Sequence, residues 1–172
     1  MADDIIELTA EDGSPVRFVR TDEPMAGTMK QVFFSPDKSY VVAFFNKQPD
    51  ASSMDRLEKL TGQYRESIFR GDQAAYWEKS FCWPTQIVRW EGRVGLVCPA
   101  YAPDYYFAGG PFKGKEKEGK WFASAKLLNR HMPPEQRGDW LHRLVMCLKI
   151  ARAVRRMHAA GLSHSDLSYK NV

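Results

Sequence analysis

The residues best suited to chemistry lie late in the chain, in the run His158-Ala-Ala-Gly161-Leu-Ser-His164-Ser-Asp166-Leu-Ser-Tyr-Lys170-Asn171. A histidine, an aspartate and an asparagine stand there as H-x-D-L-x-x-x-N, directly after a helical stretch. Phosphoryl transfer uses such a set: an aspartate orients the attacking hydroxyl and takes its proton, and an asparagine ligates a metal bridging the phosphates. Asp166 and Asn171 have the spacing for those two roles. His164 is placed to hold the loop by hydrogen bonds to its backbone. The competing account of these residues is an Asx-rich turn that closes a helix.

The loop needs a helix to aim it, and the stretch Pro133 to Ala160 supplies one. Trp140, Leu141, Leu144, Val145, Leu148, Ala151, Val154 and Met157 form a broad apolar stripe. Pro134 suits the first turn and Gly161 the C-terminal stop. Earlier, the chain reads as strands. VRFV at 16–19 is a short run, and KQVFF at 30–34 and SYVVAFF at 39–45 flank the turn SPDK. The segment EPMAGTM before them reads as a loop with one glycine, Gly27. From Ala51 to Phe69 the period changes: Met54, Leu57, Leu60, Tyr64 and Ile68 mark an amphipathic helix capped by Ser52 or Ser53. TQIVRWEGRVGLVCPAY at 85–101 reads as a second hairpin turning at Trp90-Glu91-Gly92. Residues 103–120 read as a loop whose lysines are solvated.

Composition sets the outer bounds. The 172 residues are 44% hydrophobic and 27% charged, which excludes a collagen, a coiled-coil rod and a wholly disordered chain. No apolar run is long enough to span a bilayer, and the acidic start MADDIIELTAEDG lacks a signal-peptide pattern. Cys82, Cys98 and Cys147 have no metal-ligand spacing and read as buried thiols of a reducing, cytoplasmic setting. The net charge of +4 tolerates anionic partners, but no recognised nucleic-acid motif accompanies Lys113–Lys120 or the cluster Arg152, Arg155 and Arg156. His131 and His142 have no ligand partners at helical spacing. Trp77, Trp83 and Trp90 read as packing residues.

On these residues the chain resembles the protein kinases and their relatives. TMKQVFF and SYVVAFF resemble the second and third strands of the kinase small lobe, MDRLEKL its regulatory αC helix, and GLVCPAY the fifth strand entering the hinge. The stretches FCWPTQIV, KEKEGKWFASAKL and RRMHAAGLSHSDLSYKNV are similar to a bacterial kinase-like group associated with tellurite-resistance-type operons. That group keeps company with von Willebrand A-type proteins and a protein phosphatase, which the resemblance implies as partners beside a protein substrate. It also implies an α+β fold. Residues 1–101 would form the small lobe (an antiparallel sheet plus αC) and the hinge. Residues 102–172 would begin the large lobe with the long αE helix and catalytic loop. The implied activity is ATP-dependent phosphorylation of serine or threonine with Mg2+. The alternative is a pseudokinase or scaffold that binds nucleotide or a partner without turnover.

Carried over by position, Asp166 is the catalytic base, His164 the structural histidine of the loop and Asn171 a magnesium ligand. Cys98 falls at the gatekeeper, and Pro99, Ala100 and Tyr101 at the hinge. Gly27 stands where kinases have a three-glycine loop. Glu58 is preferred as the αC glutamate, with Glu66 as rival. In V-A-x-K the lysine position holds Phe44 or Phe45. Lys30, three residues after Gly27, is the preferred substitute, as in the with-no-lysine kinases; Lys47, two past Phe45, is the other. Ser165 replaces the usual arginine, and D-L-S-x-x-N resembles the loop of the RIO kinases. The second magnesium-binding motif would follow Val172, so the 172 residues are expected to be an amino-terminal piece with negligible turnover alone.

Overall fold

A computed structural model describes residues 4–22, 24–27, 29–123, 126, 130–132, 134 and 137–168. The fold is α+β with antiparallel sheets, and the chain divides into two compact units, Met1–Ala100 and Tyr101–Val172.

The first unit begins with a hairpin, β1 (Asp4–Thr9) and β2 (Pro15–Arg20), paired from Asp4↔Arg20 to Thr9↔Pro15. β3 (Met25–Ala26), β4 (Lys30–Phe34) and β5 (Tyr40–Phe45) follow. Then come the helices α1 (Ala51–Thr61), α2 (Gln63–Ile68) and α3 (Ala74–Glu78). The unit closes with the hairpin β6 (Gln86–Trp90) and β7 (Arg93–Pro99). The five later strands form one sheet in the order β3-β4-β5-β7-β6. The last hairpin is inserted so that β7 pairs with β5.

Alternation along the strands gives this sheet two apolar faces. Val42, Phe44, Val88, Val97 and Phe33 point to one face and meet Val16 and Phe18 of the first hairpin. Phe18 is fully buried, with ring centroids 5.2 Å from Phe33, 5.4 Å from Phe44 and 5.1 Å from Trp90. Tyr40 fastens the hairpin by its hydroxyl, which accepts from Arg17 N and donates to Arg17 O, both at 2.8 Å. Ile87, Val94 and Leu96 point to the other face, where Phe45, Cys98 and the α1 residues Met54 and Leu57 cover them. Burial of each large side chain contributes about 1.5–3 kcal/mol, so the sheet is held from both sides.

Several sequence expectations hold in position. The strands at 30–34 and 40–45 and the turn between them stand as read, with Lys38 left-handed at φ 58°. Glu91 and Gly92 both take positive φ, the requirement of the two-residue hairpin turn that joins β6 to β7. Others are corrected. The acidic start contains a strand, β1, and the glycine-bearing loop contains β3. The helix over 51–69 breaks at Gly62 into α1 and α2. Its cap is Asp50, whose side chain accepts from Ser53 N at 2.7 Å, not Ser52 or Ser53.

In the second unit, two 3-10 turns (Pro103–Tyr105 and Gly110–Phe112) lead to a short helix, Lys120–Ala123. The expected loop is therefore ordered around a small core of Phe107, Trp121 and Met132. The long helix runs Trp140–Ala159, later than the proline-led start expected. Asp139 caps it by accepting from His142 N at 2.9 Å, and the His142 ring lies 2.7 Å from the same carboxylate. None of its residues is buried, and Trp140, Leu141, Leu144, Val145 and Leu148 are exposed. Gly161 ends it at φ +80°, as its position suggested. Cys82 and Cys147 are exposed and only Cys98 is half-buried, against the expectation of three buried thiols. Among the described residues no helix is long and apolar enough to cross a membrane.

Candidate functional site

Of the candidate residues of the first unit, Lys30 and Cys98 lie on the α1 face of the sheet. β4 and β5 pair with Lys30 directly opposite Phe45. Opposed residues on antiparallel strands share a face, with Cβ atoms about 5 Å apart. Lys30 therefore projects from beside the position where V-A-x-K would place its lysine. Its Nζ lies 4.4 Å from the centre of the Phe45 ring, a cation–π contact. Burial lowers the Lys30 pKa below the ordinary lysine value, while the nearby Cys98 thiol acts in the opposite sense. Burial likewise pushes the Cys98 thiol up to about 11; Cys82 adds to the rise and the Lys30 ammonium opposes it. Lys30 and Phe45 are thus in contact, and they share the helix-facing side of the sheet with Cys98, which pairs opposite Val41 four residues along β5.

The turn that delivers Lys30 is tight. Gly27 N donates to Lys30 O at 2.8 Å across the β3–β4 connection. Asn46, just past β5, clamps it from the other side. Its backbone N donates to Met29 O at 2.9 Å, and its side-chain Nδ2 donates to Gly27 O at 3.3 Å. Sequence reasoning passed over Asn46; an asparagine one residue beyond a strand end was the available signal. Lys47 is exposed. Glu58 and Glu66 are also exposed, and neither forms an ion pair with Lys30 among the described residues. The α1 residues that reach the sheet are Met54 and Leu57. At the end of β7, Ala100 N donates to Ser39 O at 3.0 Å, and the Cys82 thiol lies 3.3 Å from Pro99 O. Cys82, which the sequence read only as a buried thiol, is exposed at this end of β7.

In the second unit the segment after the long helix turns sharply. Leu162 N donates to Met157 O at 2.9 Å, and Ser168 N to Asp166 O at 3.1 Å. Asp166 is exposed on this turn. His164 is half-buried, and its enclosed Nδ1 has no hydrogen-bond partner among the described residues. Asn171 lies outside the described residues. Among the described residues no three His, Cys, Asp or Glu side chains converge as metal ligands.

Comparison with family models, with curated proteins and with solved structures finds no match for this chain.

Proposed function

We propose that the chain carries the small lobe and catalytic loop of a protein-kinase-like, ATP-dependent phosphotransferase acting on protein serine or threonine. The observation that carries the proposal is the position of Lys30, opposite Phe45 and on the helix-facing side of the sheet. The lysine that the third strand lacks is supplied by its neighbour. Further support comes from the pairing order. The segments resembling the second, third and fifth strands of a kinase small lobe pair as β4, β5 and β7, with the αC-like helix on the face that bears Lys30 and Cys98. The Lys30 ammonium would neutralise nucleotide phosphate, and as a compact point charge it needs no fixed approach geometry. The Asp166 carboxylate would orient a hydroxyl and take its proton.

A second reading, nucleotide binding without turnover, draws on other observations. Glu58 is exposed and unpaired with Lys30, and a three-residue turn stands where kinases carry a longer glycine loop. One experiment separates the two. ATP affinity and radiolabelled phosphate transfer are measured on the natural gene product that contains these residues and on its Asp166→Asn variant. Turnover abolished by the substitution with affinity intact supports an enzyme; affinity without turnover in either supports a binding module. No nucleotide affinity in either protein refutes both.

A further inference from the structure

A cavity of about 380 Å³ opens in the first unit on the face of the sheet opposite Lys30. Its volume is in the range of small-molecule sites, which run from about 300 to 1,000 Å³. Pro15, Tyr40 and Pro99 give it an apolar wall, laid over Val16 and Val97 of the core beneath the first hairpin. Arg65 of α2 and Asp12 of the β1–β2 turn bring its charges.

The hydrogen-bond inventory of the lining is lopsided. Thr85 Oγ1 donates to Val97 O, and the Tyr40 hydroxyl to Arg17 O. Ser39 Oγ donates to Asp37, and Gln86 Nε2 to Asp12 and Ser14. Those side-chain donors are committed. The Arg65 guanidinium is not: it lies 5.7 Å from the centre of the Phe69 ring and has no acceptor among the described residues. A guanidinium presents five N–H donors and no acceptor, so its terminal nitrogens are free to take an anion that enters the cavity. The Asp12 carboxylate, in contrast, already accepts from Ser14 and Gln86, which keeps its pKa low. The missing component is an acceptor for Arg65.

We propose that this cavity binds a small organic acid, its anionic head on the Arg65 guanidinium and its apolar body against Pro15, Tyr40 and Pro99. Guanidinium pairs with carboxylate and phosphate alike through parallel N–H···O bonds. Asp12, on the same lining, repels the head and so limits the site to low anionic charge. The site is separate from the Lys30 face and does not depend on nucleotide binding.

The test is amide chemical-shift titration of the full chain with two probes, 3-phenylpropanoate and phenyl phosphate, and 3-phenylpropanamide as the neutral control. Expected are saturable shifts at Ser39, Thr85 and Gln86, with a Kd of roughly 0.1–5 mM for a probe of about eleven heavy atoms. The tighter probe identifies the head group. Arg65→Gln is expected to weaken binding at least about tenfold, and Asp12→Asn to tighten it a few-fold. The two variants thus move affinity in opposite directions, which general apolar adhesion cannot do. Equal binding of the amide, or shifts unchanged in Arg65→Gln, overturns the proposal. If Arg65→Gln does not fold, Asp12→Asn and the amide decide it: no tightening and no discrimination against the amide likewise overturn it.

Discussion

Lys30 can be tested in a way that separates function from stability. Replacing it by methionine keeps the length of the side chain and removes the charge. For the fold the effects oppose. The substitution removes a cation–π contact worth about 0.5–2 kcal/mol and relieves the burial of an ammonium. The Lys30 pKa is lowered in the folded chain, chiefly by that burial. Its charged form therefore costs stability at neutral pH, and that cost is relieved as pH rises through the folded pKa towards the ordinary value of 10.5. Lys30→Met is accordingly expected to change stability at pH 7 by no more than about 1 kcal/mol and to flatten the alkaline rise. For nucleotide binding nothing compensates. Loss of one charge-assisted contact, about 1.5–3 kcal/mol, lowers ATP affinity about ten- to a hundredfold.

The decisive variant is the exchange, Lys30→Met with Phe45→Lys. Because positions 30 and 45 face each other, the exchange returns the ammonium to the same face one strand away. It is expected to recover most of the lost affinity, measured by calorimetry. Lys47→Met, at an exposed position, is expected to leave affinity within about threefold. If Lys47→Met abolishes binding while Lys30→Met and the exchange leave it unchanged, the assignment of Lys30 is refuted.

Other residues carry their own tests. A Cβ on Gly95 would sit 2.7 and 2.8 Å from Phe44 ring atoms and 3.2 Å from Val88. Gly95→Ala is therefore expected to cost about 1–3 kcal/mol in urea unfolding, and an unchanged midpoint would count against the packing described. Phe18→Ala removes the ring at the centre of the aromatic cluster and is expected to cost about 3–5 kcal/mol. Limited proteolysis of that variant should cleave first between β1 and β4; cleavage elsewhere would show that the hairpin is not pinned by Phe18. In the β4–β5 turn, hydrogen bonds from the hydroxyls of Ser35 and Ser39 and from Ser39 N hold Asp37 down to about 2. Its contribution to stability is present above 3.8 and is lost as pH falls from there through about 2. Asp37→Asn is expected to flatten that part of a plot of urea midpoint against pH.

The parts of the fold legible in the sequence were those with strong local signals. KQVFF and YVVAFF are β-branched and aromatic with Pro36-Asp37 between them, and Glu91-Gly92 is a turn that few other conformations accommodate. β1 was hidden because its apolar residues are few and interleaved with acids, and its order comes from pairing with β2. β3 has two residues, too few for any periodicity. At Gly62 the apolar period continues through the break, since one glycine costs a helix only about 1 kcal/mol; Thr61 Oγ1 bonding back to Leu57 and Glu58 carbonyls helps to end the helix there. The Trp140–Ala159 helix was placed too early because its capping partner is a histidine, His142, and the usual signature is glutamate or glutamine. At the candidate site the strand position of Lys30 was legible from its offset to Gly27. The exposure of Glu58 was not, because Leu57 and Glu58 are adjacent and only tertiary packing decides which of them faces the sheet.

That Phe45 and Lys30 share a face depends on register more than on either residue. Side chains alternate with a period of two, so a slip of one residue between β4 and β5 would send Lys30 to the hairpin face, among Phe33 and Phe44. An ammonium among those rings would lack an anionic partner and would stand away from α1. The contacts that prevent the slip flank the pair at both ends. At one, Gly27 and Met29 are tied to Lys30 and Asn46. At the other, Ser35 and Tyr40 close the turn through Ser35 N to Tyr40 O at 2.9 Å. Under the proposed function, Lys30 can stand in for a third-strand lysine because both ends of the hairpin are fixed. Asn46 is consequently part of the lysine's positioning although it carries no charge. In Asn46→Ala the side-chain bond to Gly27 O is lost while the bond from its backbone N remains.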